Sequence, residues 1–133
     1  KAKNLWKDVK CITWENHDLT KLDFHPSTFD IIISTGSLHC LSNESEITEM
    51  IQKFKIWTKP GGVNIVSSFN SRQQDLSGHN NSFSPCLLDH KAYEACYGDW
   101  KLYESSDTLL EDVHPDNNID HMHSITRILA RKP

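Results

Sequence analysis

One stretch of this sequence limits the fold more than any other. Phe29–Ser34 is a short, nearly continuous apolar run, which is typical of a strand buried on both faces of a parallel sheet. Glu44–Thr58 then places apolar side chains at helical spacing, and Lys59-Pro60-Gly61-Gly62 ends that helix just before a second strand, Val63–Phe69. A strand, a helix and a strand in this order predict a crossover between parallel strands.

The remaining pattern extends this unit in both directions. Val9–Trp14 has strand character before it, and Leu88–Tyr97 is predicted to be a helix after it. Trp100–Ser105 and Ser124–Ala130 are predicted strands, joined across a polar turn around Pro115–Asn118. We therefore expect a single α/β domain over residues 1–133, with a mostly parallel sheet that finishes in an antiparallel strand pair.

Composition and charge exclude several classes of function. The 133 residues carry a formal net charge of −4 and no run of Lys or Arg, so we expect no nucleic-acid partner. No apolar stretch approaches the length of a membrane span, and no signal peptide opens the chain, so we expect no membrane partner. The four cysteines form no Cys-x-x-Cys, which favours buried free thiols and a cytoplasmic protein.

Several motifs, in this order along the chain, resemble those of the class I S-adenosylmethionine-dependent methyltransferases. Asp18-Leu19 is similar to the acidic turn after the third strand of that fold, and Phe29–Thr35 and Lys59-Pro60-Gly61-Gly62 are similar to its next strand and the turn beyond. Tyr97–Trp100 and Ile128–Lys132 resemble the tellurite-resistance methyltransferase family in particular. The resemblance implies a Rossmann-like sheet in the strand order 3-2-1-4-5-7-6, S-adenosylmethionine as cofactor, and methyl transfer to a small-molecule acceptor.

The departures from this pattern leave two functions open. None of the five glycines forms the Gly-x-Gly turn that approaches the methionine part of the cofactor, so the domain is expected to be N-terminally incomplete. One interpretation is a methyltransferase or its C-terminal portion. The alternative is a non-catalytic methyltransferase-like module that acts through protein interaction.

The missing strands also predict an exposed sheet edge at Ile31–Ile33. Three arrangements would cover it: direct pairing with Val9–Trp14, pairing with a second copy in a homodimer, or upstream residues that fill the gap. We favour the last two, because Glu15–Thr28 is short and contains Pro26, whereas a crossover between parallel strands usually holds a helix.

The resemblance and the strand-end positions together indicate cofactor-binding residues. Asp18 and Leu19 are expected at the adenine, whereas Ser34, Thr35 and Gly36 are expected near the methionine portion and the transferring methyl group. Each has a structural alternative: Asp18 as an ordinary turn or helix-capping residue, and the other stretch as a plain strand-to-loop turn.

Histidines supply the remaining candidates. His39, in a loop at the carboxyl side of the sheet, is the predicted catalytic residue, and its alternative is a partly buried histidine with a backbone partner. His114 and His121 fall where the tellurite-resistance family carries arginines and are predicted to bind the acceptor. His121 and His123 would share one face of a strand, but no Cys or carboxylate completes a standard metal spacing, so we expect no metal.

Overall fold

The computed structural model describes residues 2–114 and 117–133, so Lys1 and the predicted turn residues Pro115 and Asp116 lie outside it. Two short 3₁₀ turns, Leu19–Lys21 and Leu38–Cys40, accompany the helices and strands. The helices are α1 (Ala2–Leu5), α2 (Glu44–Trp57) and α3 (His90–Cys96), and the strands are β1 (Phe29–Thr35), β2 (Thr58–Gln74), β3 (Lys101–Val113) and β4 (Asp120–Arg131).

The four strands form one mixed sheet in the order β1-β2-β4-β3. β1 and β2 are parallel, whereas β4 is antiparallel to both of its neighbours, β2 and β3. The predicted terminal antiparallel pair is present as β3 and β4, and the order matches the 4-5-7-6 portion of the fold implied by the resemblance. The expectation of a mostly parallel sheet was wrong, because the described residues contain one parallel pair and two antiparallel pairs.

The predicted strand Val9–Trp14 is absent. Residues 12–18 are irregular and pair with no strand, and the side chains of Ile12 and Trp14 remain 39% and 38% exposed. Strand propensity depends on a neighbouring strand and a surface to pack on, and this segment has neither. As favoured from the sequence, Val9–Trp14 does not pair with β1, so β2 is the only strand beside β1 within the described part of the chain.

Helix α2 begins and ends where local signals place it. The Asn43 side chain accepts a hydrogen bond from the Glu46 N–H at 2.9 Å, and the Glu46 carboxylate accepts the Ser42 N–H at 3.0 Å. One face of the helix forms the core against the sheet through Ile47, Met50, Ile51, Phe54 and Trp57. This burial fixes α2 across β1 and β2 and so positions the loops at their carboxyl ends.

The turn after α2 requires glycine where β1 and β2 meet. A Cβ on Gly62 would lie 2.8 Å from the Asp30 carbonyl oxygen and 2.9 Å from that of Lys59. Both contacts are shorter than carbon and oxygen tolerate, and both involve backbone, which cannot move aside cheaply. The Pro-Gly-Gly motif therefore permits the close approach that starts the parallel pair.

Two further expectations concern the environment of the protein. Among the described residues, no helix is long and apolar enough to cross a membrane. All four cysteines are free, but Cys11 and Cys40 are exposed, which corrects the expectation that they are buried. Their apolar sequence neighbours do not enclose them, because Cys11 lies in a turn before the irregular residues 12–18 and Cys40 is the last residue of the 3₁₀ turn Leu38–Cys40.

Candidate functional site

A groove runs along β1 beside the loop before it. It encloses about 370 Å³, and three of the five predicted cofactor-binding residues line it: Leu19, Ser34 and Thr35. The rest of its lining is mainly apolar: Leu22, Phe24, Phe29, Ile31, Ile32, Ile33, Phe54 and Trp57, with Ser37. A groove of this size with an apolar wall and hydroxyl groups at one end is suited to a small molecule that has an aromatic part.

Asp18 lies outside the lining of this groove and acts as a cap. Its carboxylate accepts hydrogen bonds from the Thr20 N–H at 3.0 Å and the Thr20 hydroxyl at 2.7 Å. These bonds, chiefly that from the hydroxyl, lower the pKa of the exposed Asp18 carboxyl. The geometry is that of the capping alternative, and the capped turn places Leu19 in the groove.

The end of β1 connects the groove to a second, smaller cavity. Gly36 has a φ of +66° and donates its N–H to the Ser67 carbonyl at 3.0 Å, so the chain turns sharply where the strand stops. Ser34 is buried, with its hydroxyl oxygen 2.8 Å from that of Ser37. Thr35 lines both the groove and a cavity of about 150 Å³ that also involves Gly36 and His39.

His39 is buried and held in one orientation. Its Nδ1 accepts the Phe69 N–H at 3.2 Å and lies 3.3 Å from the Ser68 hydroxyl, and its ring stacks on Phe69 with centroids 4.3 Å apart. Because Nδ1 is an acceptor, the proton of the neutral ring lies on Nε2. Burial, and then the neighbouring His79, lowers the pKa of His39. The side chain has the backbone partner of the structural alternative, and it offers Nε2–H as a hydrogen-bond donor rather than a base.

The two predicted acceptor-binding histidines come together with two others. His114 follows β3 and His121 lies on β4, and their ring centroids are 4.8 Å apart. His79, from the loop after β2, lies 4.6 Å from His114 and 5.1 Å from His121. His123 lies on the same buried face of β4 as His121, as predicted, and their ring centroids are 4.8 Å apart. We call His79, His114, His121 and His123 the histidine cluster.

Phe69 joins the histidine cluster to the cavity at His39. Its ring stacks on His39 at 4.3 Å and on His123 at 4.2 Å, which places both histidines at the carboxyl end of β2. Burial, with His79 and His121 nearby, lowers the pKa of His123 to about 4. His123 is therefore neutral near pH 7, and through Phe69 the cluster is continuous with the predicted site.

Sequence reasoning missed His79 and the acidic surroundings of the cluster. A cavity of about 700 Å³ beside it is lined by His121, Val113, Met122 and four carboxylates: Asp75, Glu111, Asp112 and Asp120. These residues come from β3, β4 and the loop after β2, so no local motif connects them. The one available signal was the pair His121 and His123, whose alternation put two imidazoles on one strand face.

Comparisons with known proteins agree on the fold of the methyltransferases. Residues 1–62 match a protein family described as "Methyltransferase domain". TehB from Haemophilus influenzae superposes with a TM-score of 0.74 at 20% identity, covering 99% of this chain and 45% of TehB. A methyltransferase from Methanosarcina mazei superposes with a TM-score of 0.65 at 15% identity, and the match covers 87% of this chain and 65% of the M. mazei protein.

A third similar structure holds a ligand. The N-methyltransferase NodS from Bradyrhizobium japonicum, in complex with S-adenosyl-L-homocysteine, gives a TM-score of 0.62 at 14% identity and covers 99% of this chain and 60% of NodS. The chain thus spans less than two thirds of the length of each of these three proteins. No curated protein matches the sequence.

Fold and site together define a Rossmann-like α/β domain that presents its candidate site at the carboxyl ends of β1 and β2. More specifically, the chain has the fold of the class I S-adenosylmethionine-dependent methyltransferases, and its resemblance to them is confirmed.

Proposed function

We propose that this chain forms the acceptor side, and part of the cofactor side, of an S-adenosylmethionine-dependent methyltransferase acting on a small molecule. The observation that carries the proposal is the turn at Thr35-Gly36, which joins the apolar groove to the cavity at His39. A cofactor lying in the groove would present its reacting end to that cavity. The carboxyl ends of strands are where open α/β sheets bind their ligands.

In this proposal the residues of the chain position the reactants. S-Adenosylmethionine, when bound, supplies an electrophilic methyl group. Leu19 and the apolar wall of the groove would contact the adenine, while backbone groups of Ser34–Gly36 lie toward the methionine portion. His39 would donate Nε2–H to the acceptor and orient it for in-line attack, and Phe69 excludes water beside it. Such a reaction needs little acid–base machinery, in keeping with a neutral, buried His39.

The histidine cluster borders the acceptor side of this arrangement. In the tellurite-resistance family the resemblance places arginines there, whereas this chain has His114 and His121, whose Nε2 atoms are buried without a hydrogen-bond partner among the described residues. Four acidic side chains around the adjoining cavity disfavour an anionic acceptor. We therefore propose a neutral or cationic acceptor for this chain.

A binding experiment tests the assignment. We expect the 133-residue chain to bind S-adenosylhomocysteine weakly, because it contains no Gly-x-Gly turn and each missing backbone hydrogen bond costs about 1 kcal/mol. Calorimetry should give an affinity weaker than micromolar, and NMR should show saturable amide shifts at Ser34–Gly36. Micromolar or tighter binding would contradict the loss of those donors. Shifts that spare Ser34–Gly36 would contradict the site.

The exposed side of β1 supports a second candidate function, a non-catalytic module that acts through protein interaction. Ile31 and Ile33 point to the same side of the strand and are 58% and 67% exposed. An exposed apolar strand with one unpaired edge tends to pair with another chain. On this basis we propose a homodimer in which β1 of one copy pairs with β1 of the other.

Sedimentation of the purified chain tests the dimer. We expect a concentration-dependent dimer that Ile33→Lys abolishes, because the added charge would be buried in the pair. Ile56→Lys is the matched control, since Ile56 is also an exposed isoleucine, at 52%, but lies on α2. A monomer at all concentrations, or equal effects of both substitutions, would argue against pairing through β1.

A further inference from the structure

The histidine cluster offers more imidazole nitrogens than its hydrogen bonds use. We propose that His79, His114 and His121 bind one divalent transition-metal ion of the zinc type. One imidazole nitrogen from each of these residues lies within 4.8 Å of the other two. A second group, Asp112 with His121 and His123, meets the same criterion and shares His121 with the first.

His121 is held as a ligand would be. Its Nδ1 lies 2.8 Å from the Ile119 carbonyl oxygen, which can only accept, so Nδ1 carries the proton. Nε2 therefore carries a lone pair, and it is buried without a hydrogen-bond partner among the described residues. Histidines that bind metals commonly donate their other N–H to a backbone carbonyl in this way.

Gly78 packs directly against the ring of His121. A Cβ at Gly78 would lie 2.3 Å from His121 Nδ1, so no larger residue fits beside the ring in this position. The side chain of Asn117 donates to the Gly78 carbonyl at 2.7 Å and ties the loop to the hairpin. The chain thus brings His79, the residue after Gly78, against β4 and keeps the His121 ring from turning away.

The protonation of His79 follows from a chain of hydrogen bonds. The Gln74 amide donates to the Asn70 and Ser124 carbonyls at 2.7 and 2.8 Å, which turns its oxygen toward His123. His123 Nδ1 donates to that oxygen at 2.7 Å, so His123 Nε2 is an acceptor. His79 Nε2, 2.9 Å away, supplies the proton for that bond. His79 is left with its lone pair on Nδ1.

His114 completes the set. Its Nε2 is also buried without a hydrogen-bond partner in the described residues. A buried polar atom that makes no bond costs about 1–3 kcal/mol, and the cluster contains two of them within reach of each other. A metal ion would satisfy both at once, together with His79.

The donor chemistry and the charges indicate which ion fits. Three neutral imidazoles suit Zn²⁺, Ni²⁺ or Cu²⁺ and do not suit Mg²⁺ or Ca²⁺, which take oxygen ligands. The Asp112 carboxylate adjoins the cluster, and the acidic cavity lined by Asp75, Glu111 and Asp120 opens at His121. These carboxylates balance the charge of a cation and attract it to the site. This inference does not depend on the proposed methyl transfer.

Titration with Zn²⁺ tests the site in the whole chain after treatment with a chelator. We expect calorimetry to show one ion bound per chain, and Co²⁺ in its place to give the visible absorption of a four-coordinate site with three nitrogen ligands. His114→Ala should weaken Zn²⁺ binding more than about 100-fold, as should His79→Ala. His25→Ala is the matched control, because His25 is exposed and distant in sequence, and it should bind as the unaltered chain does.

His114→Ala is informative because His114 lies in the turn between β3 and β4 and is only partly buried, so the fold should survive its removal. Circular dichroism without metal checks this, and His121→Gln provides a second variant that keeps a polar side chain on β4. Binding that is unaffected in His114→Ala overturns the proposal. Zn²⁺ binding that depends on Asp112 and His123 but not on His79 and His114 also overturns it. So does a loss of Zn²⁺ affinity in His25→Ala equal to the loss in His79→Ala and His114→Ala.

Discussion

Replacing His39 with alanine tests whether this side chain supports the fold around the candidate site. The imidazole is 5% exposed, and burial of a ring of this size contributes roughly 1–2 kcal/mol. Its removal leaves the Phe69 N–H without its acceptor, which costs about 1–3 kcal/mol. It also removes the stacking on Phe69, which costs about 0.5–1.5 kcal/mol. We expect the free energy of unfolding to fall by about 3–5 kcal/mol.

Urea unfolding followed by tryptophan fluorescence measures this loss. His17→Ala is the matched control, because the His17 side chain is 55% exposed and its ring pairs with the equally exposed Glu15 carboxylate, and it should change the free energy of unfolding by less than about 0.5 kcal/mol. A loss below about 1 kcal/mol for His39→Ala would refute the reasoning. It would show that Phe69 and its N–H are supported by other groups, and that His39 is free to serve the reaction alone.

Three other perturbations follow from the same structure. Asp18→Ala should lower the free energy of unfolding in urea by about 1 kcal/mol, because it uncaps the turn that carries Leu19. It should also weaken S-adenosylhomocysteine binding in calorimetry more than His39→Ala does, and equal losses of affinity would place the adenine elsewhere. Gly62→Ala should lower the melting temperature by several degrees, because the added methyl group would press on backbone oxygens and lower the free energy of unfolding by about 1–3 kcal/mol. An unchanged melting temperature would contradict the close contact. Because the pKa of His123 falls from 6.5 to about 4 on folding, the unfolded chain binds the extra proton. The free energy of unfolding should therefore be highest above about pH 6.5 and should drop by up to roughly 3 kcal/mol toward pH 4. A free energy of unfolding that does not change with pH over this range in chelator-treated protein would contradict this.

The local pattern of the sequence determined the central unit of this fold. The apolar run of β1, the cap at Asn43 and the spacing of apolar residues in α2 all act over a few residues, so their consequences could be predicted without the tertiary structure. The same is true of the Pro-Gly-Gly turn. The position of Ser34 and Thr35 at the groove was also predictable, because they end β1 and open α/β sheets bind ligands at the carboxyl ends of their strands. Leu19 follows no strand and lies in the groove because of the turn that Asp18 caps.

Tertiary structure decided the outcome wherever a segment depends on a distant neighbour. Val9–Trp14 has strand propensity, but it pairs with no strand among the described residues and has no regular structure. The sequence left Asp18 either at the adenine or as a turn or capping residue, and the folded chain shows that it caps the turn at Leu19.

The histidine cluster shows the same dependence most clearly. His79 and His114 are far apart in sequence, and no spacing rule connects them. They meet because β4 pairs with β2 on one side and with β3 on the other, which brings the loop after β2 and the turn after β3 to the same end of the sheet. Pairing between strands is a long-range interaction, and the chemistry that it assembles could be recognised only once the pairing was known.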